Sequence, residues 1–211
     1  LKNSKQKTGV LFMIGVGYKD PNTGLWTYKS FYMDKFNELE EERIINEFVK
    51  FIEDRVTNHI NKYKIKSRKL CTPTFYHWGN AEISLFRNAN KRHKNIWANW
   101  AKSILWIDFC KIFVLEPILI KGAFKFNLKE IARNMYNHGF IKSKWQDGLA
   151  DGLTAMMEAL EYYRAVENYD KLSDQQKLEY NALFKSVIDY NEIDCKTVWE
   201  IVSYLRTNHC E

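Results

Sequence analysis

Proline and glycine are scarce in this chain: 211 residues hold three prolines and nine glycines. That leaves little material for a flexible linker, and no internal repeat or low-complexity stretch interrupts the sequence. The four cysteines, Cys71, Cys110, Cys195 and Cys210, are widely spaced with no CxxC pair. Such spacing speaks against a structural zinc module and offers no disulfide framework, so the thiols read as buried or free groups in a reducing compartment. No apolar run approaches the roughly 18–20 residues of a membrane span. The longest is Gly9–Tyr18, and the tract Ile104–Ile120 is interrupted by Asp108, Lys111 and Glu116. The opening LKNSKQK carries no small-residue cleavage pattern. An intracellular protein, neither secreted nor bound to a membrane, is the expectation. A glycine-rich phosphate loop and a nucleophile motif are also missing, which leaves a small-molecule enzyme without support.

What is present is ordinary globular composition, 45% hydrophobic and 27% charged, which argues against disorder. Lys plus Arg is 32 and Asp plus Glu is 26, a mild excess of +6 that permits nucleic-acid binding without requiring it. The length suits a single domain over residues 1–211.

GVLFMIGVGY (Gly9–Tyr18) reads as a buried strand. A turn follows at Asp20–Gly24, and a second strand over Trp26–Met33 makes an antiparallel hairpin. Asn37 and Glu40 form a capping box before a long amphipathic helix that ends near Lys62. TFYHW (Thr74–Trp78) is a strand candidate, followed by a Gly79–Asn80 turn and a helix from Ile83 to Lys94. Ile104–Phe109 is a further strand. Asn127 and Glu130 open another helix, with His138–Gly139 as its stop signal. Helices are expected over Leu149–Ala165 and, as one or two pieces, over Leu172–Leu205. The order predicts an α/β or α+β domain, a central sheet covered by helices.

Two places suggest chemistry. The end of the TFYHW strand delivers His77, Trp78, Asn80 and Glu82, and ligand sites in open α/β sheets lie beyond such strand ends. The plain alternative is a polar turn with Glu82 in the first turn of the next helix. In the second place, Tyr190 and Asp194 are four apart on a helix and share a face with Leu183, Val187, Val198 and Leu205. An Asp on an apolar face is costly unless paired or bound to a metal; the alternative is an exposed Asp194. Carboxylates that converge would suit Mg²⁺ or Mn²⁺, and two such ions can hydrolyse a phosphodiester. Lys91 and Arg92, in the run KRHK, are candidates to meet phosphates, with a solvated helix end as the alternative. Trp97, Trp100 and Trp106 read as core residues.

The order of these segments resembles the RNase H-like 3′–5′ exonucleases of the DEDD superfamily, DnaQ-type, in the tyrosine-bearing subclass. More narrowly, the pattern looks like that of the RNase H-like domains that accompany RecB-type nucleases and helicases. The resemblance rests on Phe12–Tyr18, Tyr76–Glu82, Trp106-Ile107-Asp108, Leu128-Lys129, Gly152–Met156 and Tyr190–Asp194. It implies an RNase H-like mixed central sheet flanked by helices and two Mg²⁺ or Mn²⁺ ions in the complete domain. Asp194 and Glu82 would be metal ligands and, with a water-orienting Tyr190, the catalytic residues. His77, Trp78, Asn80, Lys91 and Arg92 would bind substrate, and Asp108 would be structural or stand behind the ligands. The superfamily more often has Asp at the position of Glu82. Its first motif, Asp-x-Glu, should precede the first strand, where only LKNSKQKT stands. Either that motif lies upstream of Leu1 in a longer protein, or the domain lacks it. Two functions follow as expectations. One is a metal-dependent 3′–5′ exonuclease, incomplete as written. The other is a catalytically inactive nucleic-acid-binding or protein-docking module. Nucleic acid, DNA in preference to RNA, and a fused or associated helicase or nuclease are the implied partners.

Overall fold

The computed structural model describes residues 9–116, 118–145 and 152–209. The segment LKNSKQKT, the expected helix start at 149–151 and Cys210 lie outside the described residues. The chain is mixed α/β and divides into two compact units: 1–14 with 31–118, and 15–30 with 119–211. Strands β1 (Met13–Lys19) and β2 (Trp26–Tyr32) form one two-stranded sheet, and each is divided between the units. So short a connection makes them an antiparallel hairpin.

The first unit is organised by α1 (Glu38–Tyr63). Its Asn37 side chain accepts the Glu40 N–H at 2.9 Å, as the capping box anticipates. Glu40 itself turns away and accepts the Asp34 N–H at 2.8 Å. Then come β3 (Thr74–His77), α2 (Ala81–Arg92), the short α3 (Ala98–Lys102), β4 (Leu105–Asp108) and α4 (Phe109–Leu115). β3 and β4 are parallel, Phe75 opposite Trp106 and His77 opposite Asp108. A single continuous central sheet was expected; among the described residues there are two separate two-stranded sheets. An aromatic cluster fills this core. Phe48 from α1 meets Phe31, Phe75 and Trp100 at 5.7–5.8 Å between ring centroids. Trp106 stacks on Phe75 at 5.1 Å.

The second unit contains α5 (Leu128–Asn137), α6 (Gly152–Val166) and α7 (Asp174–His209). The C-terminal helix is one uninterrupted element of 36 residues. Nothing in its sequence breaks it, since neither proline nor glycine occurs between Asp174 and His209. α6 lays Ala155, Ala159 and Tyr163 into the core, and Tyr162 stacks on Phe184 of α7 at 4.3 Å. Small residues one turn apart let two helix backbones approach closely. Among the described residues no helix is long and apolar enough to cross a membrane.

Candidate functional site

In the first unit, the β3 strand end is built around Asp108. Its Oδ1 accepts the backbone N–H of Gly79 at 2.8 Å and of Cys110 at 3.0 Å. It also reaches the Lys111 N–H at 3.4 Å. Asp108 is thus the N-cap of α4 and also fixes the loop after β3. That loop turns through Gly79 at φ +85°, a left-handed conformation that glycine adopts without steric penalty.

His77 is buried at 5% exposure, and its Nδ1 lies 2.7 Å from the Gly79 carbonyl. A carbonyl accepts only, so Nδ1 carries the proton and donates. His77 Nε2 is buried with no hydrogen-bond partner, and the ring stands edge-on to Trp106 at 6.1 Å. Glu82 Oε2 is 3.8 Å from His77 Nδ1, and the Glu82 side chain is half exposed. Trp78 packs on Phe113 at 5.1 Å. Asn80 is the N-cap residue of α2, although its side chain makes no capping bond.

Lys91 is exposed. Arg92 is held inside the protein's own charge network. Its Nε donates to Glu41 Oε2 at 2.7 Å and its NH2 to Glu41 Oε1 at 2.8 Å. Glu41 is wholly buried and further accepts the Leu11 N–H at 2.7 Å and faces His93 Nε2 at 3.0 Å. Burial pushes the Glu41 carboxyl up, but bonds from Arg92, the Leu11 N–H and His93 outweigh it and hold the group below its usual range. The tryptophans here are core residues with partnered indoles: Trp97 donates to Asn46 at 2.8 Å and Trp100 to Glu53 at 3.1 Å.

In the second unit, Tyr190 and Asp194 lie on α7, with Tyr190 8% exposed. Asp194 Oδ1 accepts the indole N–H of Trp145 at 2.8 Å. Burial pushes the Asp194 carboxyl up to about 6, against the opposing pull of the Trp145 bond and the Lys129 charge. The Lys129 ammonium, from the first turn of α5, sits 5.0 Å from the Tyr190 ring centroid and 5.8 Å from that of Trp145. These are cation–π distances.

Asn191, one residue along, points elsewhere. Its Oδ1 accepts the Tyr28 hydroxyl at 2.9 Å, and a Cβ at Gly15 would overlap that same oxygen. Gly15 therefore allows α7 to meet β1. Six residues beyond Asp194, Glu200 Oε2 accepts the backbone N–H groups of Lys142 and Ser143, each at 2.7 Å.

The expected residues thus form two groups. His77, Trp78, Asn80, Glu82, Lys91, Arg92 and Asp108 belong to the first unit, and Tyr190 and Asp194 to the second. Among the described residues no three His, Cys, Asp or Glu side chains gather into a metal-binding group. Among the described residues the partners of Asp194 are an indole N–H and an ammonium, neither of which is an oxygen ligand for a hard cation. Sequence reasoning passed over Glu41, Trp145 and Glu200. Only Glu41 left a signal, being in phase with Ile45, Phe48 and Ile52 on the apolar stripe of α1. Comparison with family models, curated proteins and solved structures returned no match to this chain.

Proposed function

We propose that this chain is an RNase H-like module of exonuclease type that binds nucleic acid without itself carrying a complete metal centre. The observation that supports binding over hydrolysis is the company of Asp194. Its partners are Trp145 and Lys129, a hydrogen-bond donor and a cation. The positive balance of +6 suits a phosphate-bearing ligand. The partner in this reading is nucleic acid, with DNA the first to test, and the module acts inside the cell beside a helicase or nuclease activity.

Hydrolysis is the second reading, a metal-dependent 3′–5′ exonuclease using Mg²⁺ or Mn²⁺. The observation favouring it is the Tyr190–Asp194 pair, a partly buried carboxylate one helical turn from a tyrosine. That reading requires further carboxylate ligands besides Asp194.

One assay separates the two. End-labelled single- and double-stranded DNA is incubated with the protein in EDTA and in Mn²⁺, and both retention and cleavage are measured. Binding that is equal in the two buffers, with no product, supports the module. Mn²⁺-dependent shortening of the strand that Asp194→Asn abolishes establishes the exonuclease instead.

A further inference from the structure

The segment from Ile141 to Trp145 is fastened to α7 at two points. Glu200 receives two successive backbone N–H groups, from Lys142 and Ser143, and Asp194 receives the indole N–H of Trp145. Both acceptors are carboxylates on one helix. Hydrogen bonds to a carboxylate are stronger than neutral ones, so the pair makes a stiff clip. The clip holds the Trp145 indole at a fixed place, 5.8 Å from the Lys129 ammonium. Trp145 and Lys129 are both only half buried.

We infer that Asp194 works as the hydrogen-bond acceptor that fixes Trp145, and that Trp145 and Lys129 are the groups that meet a single-stranded nucleic acid. A base stacks on the indole and the adjoining phosphate meets the ammonium, the combination used by strand-binding proteins that lack sequence preference. Asp194 and Glu200 are positioning residues: they touch the strap, not the ligand. The inference rests on the nucleic-acid reading above and adds to it the residues and the kind of strand. It also replaces the ion at Asp194 with a protein donor.

The test is fluorescence anisotropy of a labelled oligo(dT) with the full chain in EDTA. Trp145→Ala and Lys129→Met each weaken binding about tenfold, within the range of a lost stacking contact, while an oligomer duplex competes poorly. Trp145→Phe keeps a ring and loses the donor; Asp194→Ala loses the acceptor. These two produce similar, smaller losses, and the double variant is no worse than either single one, the signature of a shared bond. Asp194→Asn retains an acceptor and recovers most of the loss of Asp194→Ala. Hydrogen exchange at residues 142–145 rises in Asp194→Ala and Glu200→Ala while thermal melts confirm folding.

If wild-type protein retains no oligonucleotide, the nucleic-acid reading fails and the inference with it. If wild type binds and Trp145→Ala and Lys129→Met bind equally well, the inference fails and the reading stands. If Asp194→Asn is as damaging as Asp194→Ala, the charge rather than the hydrogen bond matters, and the assignment of Asp194 as an acceptor is overturned.

Discussion

Glu41 and Asp194 are carboxylates placed against apolar surroundings, and their partners send them in opposite directions. Glu41 is fully buried and surrounded by donors, so its charged form is favoured in the folded state. Its depressed pKa makes a contribution to stability that is present above the unfolded value, near 4.3, and lost as pH falls through the folded one. Arg92→Ala leaves that charge buried without its main partner and is expected to cost about 3–5 kcal/mol at pH 7, measured by urea unfolding. Asp194 is the reverse case, raised from 3.8 to about 6. Its folded form holds the proton more tightly, so its contribution is full below about 4 and is lost as pH rises through 6. The difference in melting temperature between wild type and Asp194→Asn should therefore shift against wild type between pH 5 and pH 7.5. The placement of Asp194 on a buried helix face was legible from its phase with Tyr190 and Val198. The partners were not, because Trp145 lies 49 positions away in sequence, and Arg92 lies 51 from Glu41. No local pattern encodes such pairs.

At the level of elements, local chemistry and long-range packing separate clearly. The α1 and α5 starts were readable from capping boxes, and both Asn37 and Asn127 accept the expected N–H at 2.9 Å. Asn127→Ala is expected to cost about 1 kcal/mol, read from chemical denaturation. Asp108→Ala should cost more, because it strips acceptors from α4 and from the Gly79 loop together, and amide exchange at Gly79 and Cys110 reports it directly. The short α3 and α4 escaped sequence reading: five and seven residues carry too little periodicity to separate them from strand or loop. The role of Asn191, inside the Tyr190–Asp194 segment, was hidden for another reason. Its meaning depends on Gly15 and Tyr28, and only the close approach of β1 to α7 reveals why Gly15 has no side chain. Gly15→Ala is expected to lower the melting temperature well beyond the effect of an exposed glycine substitution, and Asn191→Ala in the same background should recover part of the loss by removing the clashing oxygen.

Across the whole molecule, the mixed α/β class was readable from the alternation of strand and helix signals, whereas the division into two compact units and two small sheets was not. The basic residues also sort differently in space. Arg92 meets Glu41 near the start of α1, while the Lys62–Lys69 run follows its far end, roughly 30 Å along the helix at 1.5 Å per residue. Those two basic segments do not form one groove, and the Lys129–Trp145 pair, one of several places where a cation lies over an aromatic ring, is the one whose indole is fastened by Asp194. The central claim is that the chain holds nucleic acid through its own side chains, with no ion at Asp194. Anisotropy of labelled oligo(dT) with wild-type protein, measured in EDTA and again in Mn²⁺ with the strand recovered for length analysis, tests it most directly. The account predicts the same affinity in both buffers and an intact strand; affinity that appears only with Mn²⁺, together with a shortened strand, would contradict it.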